Sequence, residues 1–295
     1  MAITTALLVV QWMIGEVNPI LYPLSLFMAV TVAVMAHNHN HLPMWRKKGL
    51  NSATDYWLTL FYGFPAFAWV PTHNMNHHAL NNKEGDYTLT YRYSEENNLL
   101  TLLSYPSISS FHQQRPIRDY LKMLWGKNRQ DFWLAALQYV ALGVFLIGAF
   151  LLDWRKALFF IVIPQQFALF AILLFNYVQH VHAEEESEYD HSRNFVGPML
   201  NALLFNNGYH TIHHIRAGIH WSKTPEAHAK IDHLISPQLK ERSFWWYMIR
   251  TYILGIFVPR FRTSSMRLRR IAEQQQRGPM VVESVELGEL QIAES

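Results

Sequence analysis

An all-α membrane protein is what this sequence predicts, and three observations predict it. Only 16% of the 295 residues are charged, against about a quarter in an ordinary soluble domain. Half are apolar and 14% aromatic, and the apolar residues fall in long blocks instead of periodic stripes. Basic residues gather beside those blocks, at Arg46, Lys47 and Lys48 and again between 260 and 270, as they do on the cytoplasmic face of membrane proteins.

The blocks set the elements. Segments 132–152 and 157–178 each supply the roughly 20 apolar residues that cross a bilayer, and Asp153-Trp154-Arg155-Lys156 turns the chain between them. Segment 20–36 is a shorter span, and 3–15 pairs with it as a hairpin turning at Glu16-Val17-Asn18-Pro19, which gives about four spans. Segment 57–70 contains Pro65 and is too short to cross, so it is expected to lie at the interface or re-enter, as is 244–258. From Arg262 the chain turns basic and then rich in Gln and Glu, a helix running into a disordered tail at 262–295 beyond a membrane domain at 1–261. The start has neither the basic region nor the small-residue cleavage site of a secretory signal and reads as retained.

If 57–70 does not cross, residues 37–41, 73–78 and the end of the 157–178 span share one side. Residues 42–130 hold ten Lys or Arg, against two at 153–156 and none at 16–19, which makes that side cytoplasmic. A bacterial inner membrane is the favoured setting.

With no cysteine, thiolate zinc sites, iron–sulfur clusters and cysteine nucleophiles are excluded. Any metal must be held by His, Asp or Glu. The sixteen histidines are spaced in motifs: His37 and His41 in HNHNH, His73, His77 and His78 in HNMNHH, His210, His213 and His214 in HTIHH. Asn176-Tyr177-Val178-Gln179-His180 closes a long span, where an ionisable residue is a functional hypothesis by default. On a helix, residues three or four apart share a face, so each motif aims two imidazoles one way. The doubled HH ends add a neighbour turned by about 100°, so one motif can serve two adjacent metals.

Imidazole suits iron, copper, zinc and nickel alike, so ligand type does not choose the metal. Number is more telling: nine histidines exceed the four ligands of a structural zinc or the three of a catalytic one, and two metals are implied. A single HxxxH would be an even bet between a ligand pair and a surface or core pair; two doubled motifs beside membrane segments are not. His39 and His182 point to other helical faces and are left as spare or supporting residues.

These motifs, in this order and spacing over residues about 20 to 235, resemble the membrane fatty acid desaturase superfamily, which includes lipid and alkane hydroxylases. HNHNH, HNMNHH and NNGYHTIHH at 206–214 look like its three histidine boxes, and NYVQH at 176–180 like its NxxxH element. The resemblance implies two irons held by His37, His41, His73, His77, His78, His180, His210, His213 and His214, with Asn176 steadying a water at the metal. It implies four spans under a cytosolic helical cap (37–131 and 179–261) that carries the boxes. It also implies attack on an unactivated C–H bond of a fatty acyl or lipid-like chain, with O2 as co-substrate. No haem-binding HPGG segment is fused to the chain, so electrons would come from a separate ferredoxin, rubredoxin or cytochrome b5-type donor.

Metal-bound histidines need partners that orient them; Asp86, Asn206 and the run Glu184-Glu185-Glu186 are candidates, although the Glu run suits a solvated loop equally well. Desaturation is the first reading. Hydroxylation is the second, because alkane hydroxylases carry a similar NYxEH element. A His-rich metal transporter would place its ligands near the bilayer midplane, whereas most of these lie outside the apolar blocks. Nucleic-acid binding has no recognition motif behind it.

Overall fold

The computed structural model describes residues 1–277, and its regular elements are helices, apart from one two-residue strand pair. The main helices are α1 (Ala2–Ile14), α2 (Leu21–His41), α3 (Lys48–Tyr62), α4 (Leu99–Lys127), α5 (Arg129–Leu152) and α6 (Trp154–His180). The short α7 (His210–Ile215) and the C-terminal α8 (Met266–Arg277) complete the set used below.

Among the described residues, α2, α5 and α6 are long and apolar enough to cross a membrane. The expected first span does not reach that length. The 13 residues of α1 rise about 20 Å, short of a hydrocarbon core of about 30 Å, and the left-handed Gly15 stops the helix. It instead packs along α2, where Gln11 donates to Ser25 Oγ. Segment 57–70, expected at the interface, divides between the end of α3 and a turn at Gly63–Pro65 leading into the second histidine motif. Residues 244–257 are helical and turn Trp245, Trp246, Ile249, Ile253 and Phe257 outward, the exposed apolar face expected of an interfacial segment.

The core lies between α2 and α6. Val32, Ala33, Val34 and Ala36 of α2 pack with Ala168, Ile172, Phe175 and Val178 of α6, and the small side chains let the two helices approach closely. Both end at a histidine motif, α2 at His41 and α6 at His180, so their C-termini deliver both motifs to the same end of the bundle. Leu42–Pro43 turns the chain extended after α2.

The third motif is fixed by a crossing of three loops. Asn194 and Phe195 pair in parallel with Lys240 and Glu241, and Gly208 lies against this pair just before His210. The Phe195 N–H donates to the Gly208 carbonyl, and a Cβ on Gly208 would sit 2.1 Å from the Phe195 carbonyl oxygen. A backbone atom cannot swing aside as a flexible side chain can. Gly208→Ala is expected to cost about 1–3 kcal/mol by overpacking and to lower the apparent melting temperature of the detergent-solubilised protein; an unchanged melting temperature would show that this crossing is not rigid.

The segment after Arg262 is more engaged than a free tail. The helix expected there is α8, and its Arg267 pairs with Glu95 and Glu185 while Arg270 pairs with Glu184 and Glu185. Arg267 also lies 4.0 Å over the Tyr91 ring. Residues 278–295, expected to be disordered, lie outside the described residues.

Candidate metal centre

All nine histidines of the motifs converge, and they sort into two groups. His37, His41, His73, His78 and His213 form one; His77, His180, His210 and His214 form the other. Within each group the candidate ligand atoms lie within 4.8 Å of one another.

Local helix geometry does the sorting. Residues Val70–His77 form a π-helical segment, with the His78 N–H donating to the His73 carbonyl. The i→i+5 repeat of such a turn aligns His73 with His78, not with His77 four residues on, and the Nε2 atoms of His73 and His78 are 3.1 Å apart. The expectation that His73 and His77 point the same way is corrected by this turn. In α7 the ordinary i→i+4 repeat holds: His210 and His214 stay together, Nε2 to Nε2 3.1 Å, while His213 turns to the other group. Each doubled HH therefore serves both groups, as the rotation between adjacent residues requires.

In the group of five, His37 Nε2 lies 2.9 Å from both His73 Nε2 and His213 Nε2, and His78 Nε2 lies 3.0 Å from His213 Nε2. His41 Nε2 is buried without a hydrogen-bond partner. In the group of four, His180 Nε2 lies 3.1 Å from His77 Nε2 and 2.9 Å from His210 Nε2.

The fit of this donor set to a cation follows from tautomers. His77 Nδ1 faces the Asp86 carboxylate at 2.8 Å and His180 Nδ1 faces the His191 carbonyl at 3.1 Å. Both partners only accept, so both Nδ1 atoms carry the proton and both Nε2 atoms are bare lone pairs. Two lone pairs facing at 3.1 Å repel unless a positive centre lies between them. Spacings of 2.9–3.1 Å are also those of adjacent donors around a metal with bonds of about 2.1 Å.

Electrostatics agree with that role. Burial, then the neighbouring imidazoles, hold His73, His210, His213 and His214 well below the ordinary histidine value, and His78 is lowered by the same causes. They are neutral at physiological pH, the form that donates a lone pair.

Asp86 is fully buried and each of its oxygens is used twice. Oδ2 accepts from His77 and the Asn82 N–H; Oδ1 accepts from the N–H and hydroxyl of Thr88. Burial pushes its carboxyl up, but the adjoining His77 imidazole and these hydrogen bonds outweigh burial and hold it below the usual carboxylate range. This is the orienting carboxylate expected of Asp86. Asn206 does not share the role, since its Nδ2 donates to the Trp221 carbonyl. Nor does the Glu run: Glu184 and Glu185 take the α8 arginines and Glu186 pairs with Lys83.

Asn176 is held through its amide nitrogen. Its Nδ2 donates to Tyr105 Oη at 2.7 Å, and Tyr105 Oη donates to the Thr88 carbonyl at 2.7 Å, so a chain of hydrogen bonds runs from Asn176 to the turn that holds His77. His39 and His182 stand aside as expected. His39 Nδ1 accepts from the Met44 N–H and its Nε2 is 3.4 Å from Asp55; His182 bonds Thr263 and the Glu95 carbonyl. Tyr105, Thr88, Trp69 and His191 were not singled out from the sequence. Trp69 lies 5.3 Å from the His37 ring and 5.1 Å from the His73 ring. His191 packs 5.3 Å from His214, and burial followed by the neighbouring His77 imidazole pushes it down to about 4.

Two cavities flank the groups. One of about 340 Å³ runs from His37, His73 and His210 past Asn176 between Tyr62, Phe64, Trp69, Leu169, Ile172 and Phe175. The other, about 270 Å³, is bounded by His37, His41 and His213 with Met44, Phe205 and Trp221. The first touches both groups and is walled mainly by apolar side chains, which suits an alkyl chain.

The family model described as fatty acid desaturase matches residues 17–246. No curated protein and no solved structure matches the chain.

Proposed function

Because the chain belongs to the fatty acid desaturase family, we propose that this membrane oxidoreductase of lipid chains inserts a double bond, using O2 and two irons. The observation that carries the reading is the division of nine imidazoles into groups of five and four at one end of an apolar cavity. His37, His41, His73, His78 and His213 would hold one iron and His77, His180, His210 and His214 the other. Bound there, the irons would supply the one-electron chemistry that reduces O2.

The chain's own residues then have three tasks. Asp86 and the His191 carbonyl fix the tautomers of His77 and His180, so that their Nε2 atoms remain lone-pair donors. Tyr105 anchors the Asn176 amide nitrogen and so leaves the Asn176 oxygen toward the cavity, where it can hold a water. The apolar walls keep bulk water out and present a CH2–CH2 unit of the substrate beside His37, His73 and His210.

Atoms and electrons balance when two hydrogens with two electrons leave the CH2–CH2 unit, two electrons and two protons come from outside, and together they reduce O2 to two waters. The outside pair is assigned to a separate ferredoxin, rubredoxin or cytochrome b5-type donor. The basic residues of the 42–130 stretch support a cytoplasmic position for the histidine groups.

Hydroxylation uses the same electron count and differs in whether oxygen stays on carbon. Lipid profiles of a host expressing the protein test the reading. New double bonds in existing chains are expected; new hydroxyl groups without new double bonds would overturn desaturation in favour of the second reading.

A further inference from the structure

The larger cavity has a second end. Apart from the amides near the histidines, its lining carries a second polar set: Ser110, Gln113 and Gln114 from α4 and Gln166 from α6. Gln166 is exposed and its carboxamide makes no hydrogen bond among the described residues, although it belongs to a membrane-spanning helix. A polar side chain without a partner in such a helix is costly and marks function by default. Gln114 ties its Nε2 to the Ser110 carbonyl at 3.2 Å. Phe111 and Phe167, both exposed, flank these amides, so the mouth is a polar patch ringed by apolar surface. That suits a lipid better than a water-borne ligand.

Two ladders measure the distance from the mouth to the Tyr105–Asn176 hydrogen bond, and Asn176 lines the cavity together with His37, His73 and His210. Gln166 precedes Asn176 by ten residues on α6, about 15 Å at 1.5 Å per residue. Gln113 and Gln114 follow Tyr105 by eight and nine residues on α4, about 12–14 Å. The cavity lining includes no Lys, Arg, Asp or Glu, so it offers no fork for a phosphate and no partner for a cation. Carboxamide N–H groups donate to a neutral carbonyl oxygen.

We propose that Gln114 and Gln166 bind the uncharged ester carbonyl of a lipid at this mouth, with its alkyl chain running inward to the histidine groups. The site deepens the lipid-oxidation reading and rests on it. It sets where the chain is attacked: at about 1.2 Å per bond of an extended chain, 12–15 Å places the reacting carbons roughly ten to twelve bonds from the ester.

The test uses the full-length, iron-loaded protein in nanodiscs with two isotopically labelled probes of matched chain length, methyl palmitate and hexadecane. Binding is read at equilibrium, apart from turnover. The wild type is expected to bind the ester at least about tenfold more tightly than the alkane, which is ~1.4 kcal/mol. In Gln114→Leu/Gln166→Leu that preference should fall to near unity. Equal binding of the two probes by the wild type, or a preference that survives the double substitution, overturns the proposal. The wild-type comparison needs no variant and decides alone if the double variant does not fold. Ester preference without turnover supports this site and counts against the oxidation reading, whereas turnover without ester preference overturns this site and leaves that reading standing.

Discussion

Replacing His213 or His180 by alanine is expected to abolish turnover and to lower iron content from about two per chain. His213 belongs to the group of five and lies close to both His37 and His78; His180 bridges His77 and His210 in the group of four. In the proposed reaction each loss would leave an open position at a centre that handles O2, so the fall in rate should exceed the 10–100-fold typical of losing a mere supporting partner. His180→Ala leaves three imidazoles in its group, and its iron should be lost the more completely of the two. His39→Ala is the control. Its ring is occupied by Met44 and Asp55 and reaches neither group, so substantial activity and full iron should remain. Equal iron loss in His39→Ala and His213→Ala, or one zinc and no iron in the wild type, would sink the two-iron assignment.

Asp86→Asn should show the next largest effect. The carboxylate accepts four hydrogen bonds on its two oxygens, and an amide nitrogen at either position would face two donors. The His77 ring would then lose the acceptor that fixes its tautomer. A 10–100-fold loss in metal affinity, with a similar loss of rate, is expected from removing such a partner, while far-ultraviolet circular dichroism stays helical. Metal titration checks this directly: wild-type affinity in Asp86→Asn would mean that Thr88 Oγ, 2.9 Å from His77 Nδ1, orients the ring unaided.

Much of this was legible in the sequence because imidazole spacing is a local property. HNHNH, HNMNHH and HTIHH announce shared faces through the helical repeat, and all nine motif histidines meet in space. Which histidine joins which group was not legible for the second motif. A π-helical turn inserts one residue into the repeat, and nothing in VPTHNMNH marks that insertion. The Asp86 partnership was foreseen, but Thr88 and Tyr105 were not, because their contacts span 11 and 71 residues and leave no periodic trace. The α1 segment was apolar enough to suggest a crossing, yet Gly15 ends it too soon. The Glu run at 184–186 carried an even choice between orienting a ligand and facing solvent. Glu184 and Glu185 do neither, since Arg267 and Arg270 claim them from far along the chain, and only Glu186 is exposed.

The order in which the histidines occur along the chain constrains how the protein is made. Neither group can close without α7, which contributes His213 to one and His210 and His214 to the other. The partners of His213 include His37, 176 residues earlier, so closing the site is a long-range event whose loop-entropy cost is met only after the spans have formed. During synthesis α2 and α6 can enter the membrane in turn, each with bare imidazoles at its end, while the ribosome is still short of residue 210. In the proposed reading metal capture would therefore wait for the last third of the chain, since a chain lacking α7 holds six of the nine histidines and no complete group.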